Sequence, residues 1–167
     1  GGGTPSLLQK EDFERLFEAI HTHFTLSPAA EITLECNPDD LTASYVAQLQ
    51  ELPFNRISIG IQSFDDAELR FLNRRHTAQQ AQDAVALCQA HGFDNISIDL
   101  MYGLPNQTPE TWRNTLAVAM NLGVQHLSAY SLMYEEGSPL SRLRNAHKIT
   151  ELDEATSVAL FEQLIDT

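Results

Sequence analysis

An α/β fold whose parallel strands and crossover helices close toward a barrel is what this sequence predicts, and three observations carry that prediction. Alternating strands and amphipathic helices follow one another in a unit of about thirty residues, the length of a strand–helix–strand step. The strands share a parity: Ile32 and Leu34, Ile57, Ile59 and Ile61, Ile96, Ile98 and Leu100, and Leu127 and Ala129 fall on one face. The opposite face carries Thr33 and Glu35, Ser58, Gly60 and Gln62, Ser97 and Asp99, and Ser128 and Tyr130. A doubly wound sheet packs helices on both faces and needs both apolar. A barrel meets helices only outside, so its inner face can hold small and polar groups, and the parity favours the barrel.

The chain opens on Gly1-Gly2-Gly3-Thr4-Pro5. Three glycines let a backbone take positive φ and bring bare N–H groups against a ligand. A flexible glycine tail is the other reading of the same residues. No strand stands ahead of this loop, so the chain is expected to be the middle of a longer barrel protein. Phe13, Leu16, Phe17, Ile20 and Phe24 then recur at helical spacing behind Glu11 and Asp12. Glu31 to Cys36 is a short strand ended by Asn37-Pro38, where proline forbids continuation. Thr42 caps a helix that turns Tyr45, Val46, Leu49 and Leu52 inward.

Arg56 to Gln62 alternates cleanly and is the clearest strand. Asp65 starts a short helix through Leu69 and Leu72. Thr77 starts a longer one with Ala81, Ala84, Val85 and Cys88 on one side, ended by Gly92. Asn95 to Leu100 alternates again and runs into Tyr102-Gly103-Leu104-Pro105. Thr108 followed by Pro109 suits a helix start, and that helix carries Trp112, Leu116, Ala119 and Met120 before stopping near Gly123. His126 to Leu132 is a fourth strand, and a loop through Gly137-Ser138-Pro139 follows. Thr150-Glu151-Leu152-Asp153 resembles a capping box for the last helix. With no linker or low-complexity stretch, residues 1–167 read as one partial barrel domain.

Composition narrows the function. The apolar share of 43% supports a packed core, and a formal net charge of −13 argues against nucleic acid or an anionic membrane as partner. No apolar run reaches membrane-spanning length. Cys36 and Cys88 are distant and lack CxxC spacing, which points to a reducing compartment, the cytoplasm, and leaves no cluster or metal site to these cysteines. The six histidines show no metal-ligand spacing, and no Ser-His-Asp grouping or phosphate-loop lysine is present.

The chemistry is expected at the strand ends. Glu35, Gln62 and Asp99 each close a strand on the polar face, and barrel enzymes place their chemistry at C-terminal strand ends. Any one carboxylate there is equally well explained as a satisfied structural acid. Three such residues in register beside a glycine loop suggest a ligand with ribose or amine character. Arg74 fits two roles equally on spacing, a bidentate partner for a ligand carboxylate or a solvated helix-end arginine beside Arg75.

Gly-Gly-Gly-Thr-Pro, Glu35-Cys36-Asn37-Pro38, Ile59-Gly60-Ile61-Gln62-Ser63-Phe64, Asn73-Arg74-Arg75-His76 and Ile98-Asp99-Leu100-Met101-Tyr102-Gly103-Leu104-Pro105 with Gln107-Thr108 resemble the radical S-adenosylmethionine (SAM) superfamily. More narrowly they resemble its oxygen-independent coproporphyrinogen III oxidase family. Tyr130-Ser131-Leu132 with Glu135-Glu136-Gly137-Ser138-Pro139-Leu140 is more similar to the HemW-like heme-chaperone branch. The resemblance implies a partial, TIM-like (β/α)6 barrel, with N-terminal strands missing here and SAM over its C-terminal rim. It implies that Gly2, Gly3 and Thr4 receive the methionyl amino group, and that Glu35 and Gln62 contact the nucleoside and methionyl parts. Arg74 would meet the ligand carboxylate, Asp99 would be the acidic group at the next strand end, and Met133 would offer backbone to the adenine region.

The family's [4Fe–4S] cluster sits on a CxxxCxxC motif that this chain does not contain. The resemblance therefore implies no catalytic residue or metal ligand here and a chain inactive by itself, with an open sheet edge prone to self-association. For the parent protein it implies heme or a porphyrinogen as partner, with heme-acceptor proteins and an electron donor as further partners. Two functions follow: a heme chaperone or, as the alternative, an oxidase that decarboxylates propionate side chains to give protoporphyrinogen. A barrel that binds another nucleotide without radical chemistry is a third reading.

Overall fold

The computed structural model of the protein describes residues 4–167. Four strands, β1 (Thr33–Cys36), β2 (Arg56–Gln62), β3 (Ile96–Tyr102) and β4 (His126–Ser131), form one sheet in the order β1-β2-β3-β4. Every neighbouring pair is parallel. Sequential parallel order is how a barrel winds, and it lacks the strand-order reversal of a doubly wound sheet. The helices are α1 (Lys10–His23), α2 (Ala43–Leu49), α3 (Asp66–Phe71), α4 (Ala78–Ala90), α5 (Pro109–Asn121), α6 (Pro139–Asn145) and α7 (Glu154–Ile165).

The strand parity holds. Leu34 and Cys36, Ile57, Ile59 and Ile61, and Ile96, Ile98 and Leu100 are buried in one core with Val46, Leu49, Val85, Cys88, Trp112 and Leu116 from the helices. Leu127 and Ala129 pack on the same core. Three of the expected caps form as the sequence reads: Thr42 accepts from the Tyr45 N–H, Thr77 from that of Gln80 and Thr108 from that of Thr111. Each satisfies an N–H that has no partner within the helix.

Several boundaries differ from the sequence reading, each for a local reason. Pairing in β1 begins at Thr33 rather than Glu31, because the Asn55 side chain occupies the preceding positions. Its Oδ1 accepts from the Ile32 N–H at 2.7 Å and its Nδ2 donates to the Ala30 carbonyl at 2.8 Å. The α1 seam is narrower than its apolar stripe. Phe13 and Phe17 are buried edge-on against Phe54, with ring centroids 5.0 and 5.3 Å away, while Leu16 and Phe24 are exposed. Phe24 already has extended backbone, past the last helical turn.

Met120 likewise lies on the exposed side of α5. The expected loop at Gly137-Ser138-Pro139 begins α6, with Ser138 as cap and Pro139 at its first position. The cap of α7 is Asp153, not Thr150. Its Oδ1 accepts from the Thr156 N–H at 2.9 Å and its Oδ2 from the Thr156 hydroxyl at 2.7 Å. No helix among the described residues is long and apolar enough to cross a membrane.

Candidate functional site

The polar strand face opens into a hollow at the C-terminal end of β1 and β2, bordered by Thr4 and Pro5. Glu35 and Ser58 contribute from one row of the sheet, where β1 and β2 place them side by side. Gly60 and Asp99 are paired across β2 and β3 one row higher. Gln62 and Arg74 complete the wall. Thus the structure gathers Thr4, Glu35, Gln62, Arg74 and Asp99 into one hollow. Gly2 and Gly3 lie outside the described residues. Met133, past the end of β4, is 72% exposed and does not line the hollow.

Asp99 does not close its strand, as the sequence reading had it, because β3 continues through Tyr102. It nevertheless lines the same hollow as Gln62, because it pairs with Gly60 on the polar face; beyond that pair the β2–β3 register slips, and Gln62 stands beside Leu100. At that slip Gln62 adopts φ 77°, a left-handed conformation that costs a non-glycine residue of order 1–3 kcal/mol. Gly60 beside it has no room for a side chain without adjustment. A Cβ there would lie 3.2 Å from Gln62 Nε2 and 3.4 Å from Arg74 Nη2. The floor of the hollow is thus bare backbone beneath an amide and a guanidinium.

Arg74 is half-buried and not the solvated end that one reading allowed. Its Nη2 donates to Asn37 Oδ1 at 2.8 Å and to the Gly60 carbonyl. Its neighbour Arg75 takes the carboxylates, 2.5 Å from Asp39 and 3.2 Å from Asp40. Burial draws the Arg74 guanidinium below its usual range, and no ion pair to it occurs among the described residues. Burial pushes the Asp99 carboxyl up, opposed by a hydrogen bond from Ser128 and reinforced by the negative charge of Glu35. The hollow therefore combines one cation and two carboxylates with hydroxyl and amide groups.

The loops after β2 and β3 are joined by a buried network that the sequence did not reveal. Glu68 on α3 accepts from the Ser63 hydroxyl at 2.5 Å, from Gln107 Nε2 at 3.1 Å and from the Thr111 hydroxyl at 3.3 Å. Gln107 in turn accepts from the Gly103 N–H at 2.8 Å. Burial raises the Glu68 carboxyl above its ordinary value, and the bonds from Ser63 and Gln107 oppose the rise. Glu68 sits in a helix of mixed polarity with nothing in its spacing to set it apart. Asn37 was similarly hidden as the residue before a strand-ending proline.

Residues 1–119 match the family described as the Radical SAM superfamily. The chain belongs to the radical SAM superfamily. Among curated relatives, it is 35% identical over 166 residues to the heme chaperone HemW of Lactococcus lactis subsp. lactis, covering 99% of this chain and 44% of that protein. It is 34% identical over 170 residues to the oxygen-independent coproporphyrinogen III oxidase of Synechocystis, covering 98% of this chain and 36% of that one. The solved structure of the Escherichia coli coproporphyrinogen III oxidase HemN, described as a radical SAM enzyme, superposes with a TM-score of 0.84 at 28% identity. That match covers 99% of this chain and 38% of that chain. The chain spans less than half the length of these relatives. The four-stranded parallel sheet is accordingly part of a radical SAM, TIM-like fold, and the resemblance read from the sequence is borne out.

SAM and a [4Fe–4S] cluster are the cofactors of a radical SAM protein, and the residues present treat the two differently. The hollow fits SAM: its guanidinium suits a carboxylate, its carboxylates suit an ammonium and hydroxyls, and its glycine floor admits close approach. The cluster does not fit these residues. Cys36 and Cys88 are buried, burial pushes both thiols up, that of Cys88 to about 12, and a thiolate is what iron requires. No group of three His, Cys, Asp or Glu side chains suited to a metal occurs among the described residues.

Proposed function

We propose that this chain forms the SAM-holding part of a heme-handling radical SAM protein of the heme-chaperone type. The observation that carries the reading is the shared hollow, in which the Arg74 guanidinium joins Glu35 and Asp99 over the bare Gly60 floor. Both Arg74 hydrogen bonds to described residues leave from Nη2, so its Nε and Nη1 remain for the ligand's carboxylate. Thr4, with Gly2 and Gly3, receives the methionyl amino group. Glu35 and Gln62 hold the nucleoside and methionyl parts, Asp99 supplies a further acceptor, and Met133 offers backbone toward the adenine. Bound SAM supplies a sulfonium whose carbon–sulfur bond can be cleaved reductively, and this chain's residues bind and orient it.

The heme-chaperone reading is supported by the relatives of that name, matched over nearly the whole chain in the Lactococcus protein. Heme is then the cargo, and acceptor proteins in a reducing cytoplasm are its destination. The coproporphyrinogen oxidase reading is favoured by the structural likeness to the Escherichia coli oxidase. One comparison separates the two. The full-length protein, anaerobic and reconstituted, is given coproporphyrinogen III with SAM and reductant, then titrated separately with heme. Heme binding without turnover supports the chaperone; formation of protoporphyrinogen overturns it in favour of the oxidase.

A further inference from the structure

Asn73-Arg74-Arg75-His76 follows α3 as a turn, with Asn73 at φ 54° and the Arg74 N–H returning to the Leu69 carbonyl at 2.9 Å. Beyond it the side chains alternate. Arg75 points to Asp39 and Asp40, whereas Arg74 and His76 both turn to the end of β2. They engage successive carbonyls of that strand. Arg74 donates to the Gly60 carbonyl, and His76 Nε2 lies 3.0 Å from the carbonyl of Ile61. The register slip lies between Gly60 and Gln62, and the peptide unit that His76 holds leads directly into Gln62 at φ 77°.

A carbonyl can only accept, so His76 carries its proton on Nε2. Its Nδ1 is then a buried acceptor with no hydrogen-bond partner among the described residues, and the nearest carboxylate, Asp39, stands 3.7 Å away. His76 is only 2% exposed. An apolar side chain would fill this space without leaving a buried nitrogen unpaired, which is a cost. The bond to Ile61 is what the imidazole gains in return, and it falls where the backbone is held in a conformation that non-glycine residues avoid.

We propose that His76 is a positioning residue for the SAM site: its Nε2–H holds the Ile61 carbonyl, fixes Gln62 in the left-handed conformation and so aims the Gln62 amide into the hollow before ligand arrives. The inference rests on the reading of the hollow as a SAM site.

The test measures SAM binding by equilibrium dialysis, with thermal melting alongside, in the full-length protein without reductant. His76→Leu removes the donor. His76→Gln keeps an N–H at a similar distance from the backbone. The leucine variant is expected to bind SAM about tenfold more weakly, and the glutamine variant within about threefold of the unsubstituted protein. A purely structural role would make binding follow melting temperature instead of the donor. Should the leucine variant fail to fold, His76→Asn, whose amide is too short to reach Ile61, takes its place with the same expected loss.

Unchanged binding in the leucine or asparagine variant overturns the inference, as does a glutamine variant that melts normally yet binds no better than they do. An Arg74→Met variant keeps the two failures apart. If Arg74→Met weakens binding while the His76 variants do not, only the role of His76 falls. If the unsubstituted protein does not bind SAM, the reading of the hollow falls and this inference falls with it.

Discussion

Replacing Gly60 by alanine tests the hollow at its floor, because folding and binding should respond differently. On folding, a strand alanine restricts the unfolded chain more than glycine does, a gain of about 0.4–1 kcal/mol where the native backbone tolerates it. The new methyl would stand 3.2 Å from Gln62 Nε2 and 3.4 Å from Arg74 Nη2, with the Cys36 carbonyl an ordinary 3.8 Å away. The tightest contact is with the end of a flexible side chain, so a shift of a few tenths of an ångström relieves it. Gain and relief nearly offset, and the melting temperature should move by no more than about 2–4 °C, the effect of 1 kcal/mol in a chain of this size. On binding, the displaced groups are the amide and guanidinium assigned to the ligand. Degrading one or two of their hydrogen bonds, at about 1 kcal/mol each, predicts SAM affinity lower by roughly 5- to 30-fold. Equilibrium dialysis with labelled SAM reads the affinity and a thermal melt reads the fold. An alanine variant that melts normally and binds SAM as tightly as before would refute the placement of the ligand over this floor.

The remaining predictions concern the buried Glu68 and the half-buried Asp99. Glu68→Leu strands the Ser63 and Gln107 donors and should cost about 1–3 kcal/mol per unsatisfied group, read by urea denaturation. Glu68→Gln should cost much less, since its carbonyl can accept from those two while its amide faces Thr111; equal costs would refute the network. Because burial raises the folded-state values of Glu68 and Asp99, the folded protein binds more protons than the unfolded chain just above pH 4. Their contribution to stability is therefore full below the unfolded values and is lost as pH rises through the raised ones. Ligand binding runs the other way. A cationic ligand needs charged Asp99, so SAM affinity should fall on acidification at a higher pH than an ordinary aspartate would give, and Asp99→Asn should bind about tenfold more weakly and lose that dependence. A pH profile identical in the Asn variant would exclude Asp99 as the titrating group.

The sheet was legible in the sequence because strand parity is a two-residue signal that local chemistry cannot blur. Ile57, Ile59 and Ile61 can only face the core if Ser58, Gly60 and Gln62 face the hollow. The caps at Thr42, Thr77 and Thr108 were equally plain, being short motifs acting within one turn. What escaped were features made by distant partners. Asn55 shortens β1 from 23 residues away, and Glu68 finds Gln107 39 residues along the chain. The left-handed Gln62 escaped for a related reason: glutamine carries no turn signature, and the conformation is imposed by what surrounds the strand end. Ser138-Pro139 at α6 repeats the Thr108-Pro109 start, so that helix was written in the sequence and hidden by the glycine before it.

The Glu68 network has a consequence for how such a chain can change. Ser63, Glu68 and Gln107 reside in three separate segments, and each one's polar group is satisfied by another's. Lost singly, any of them leaves a buried partner unpaired, and even replaced together by apolar residues they would strand the Gly103 N–H that Gln107 accepts from and the Asp65 N–H that Ser63 accepts from. The cost of a substitution at one position thus depends on the state of the other two. Single steps away from this set run uphill, and a double-mutant cycle between Ser63 and Gln107 would register a coupling that their separation along the chain gives no hint of.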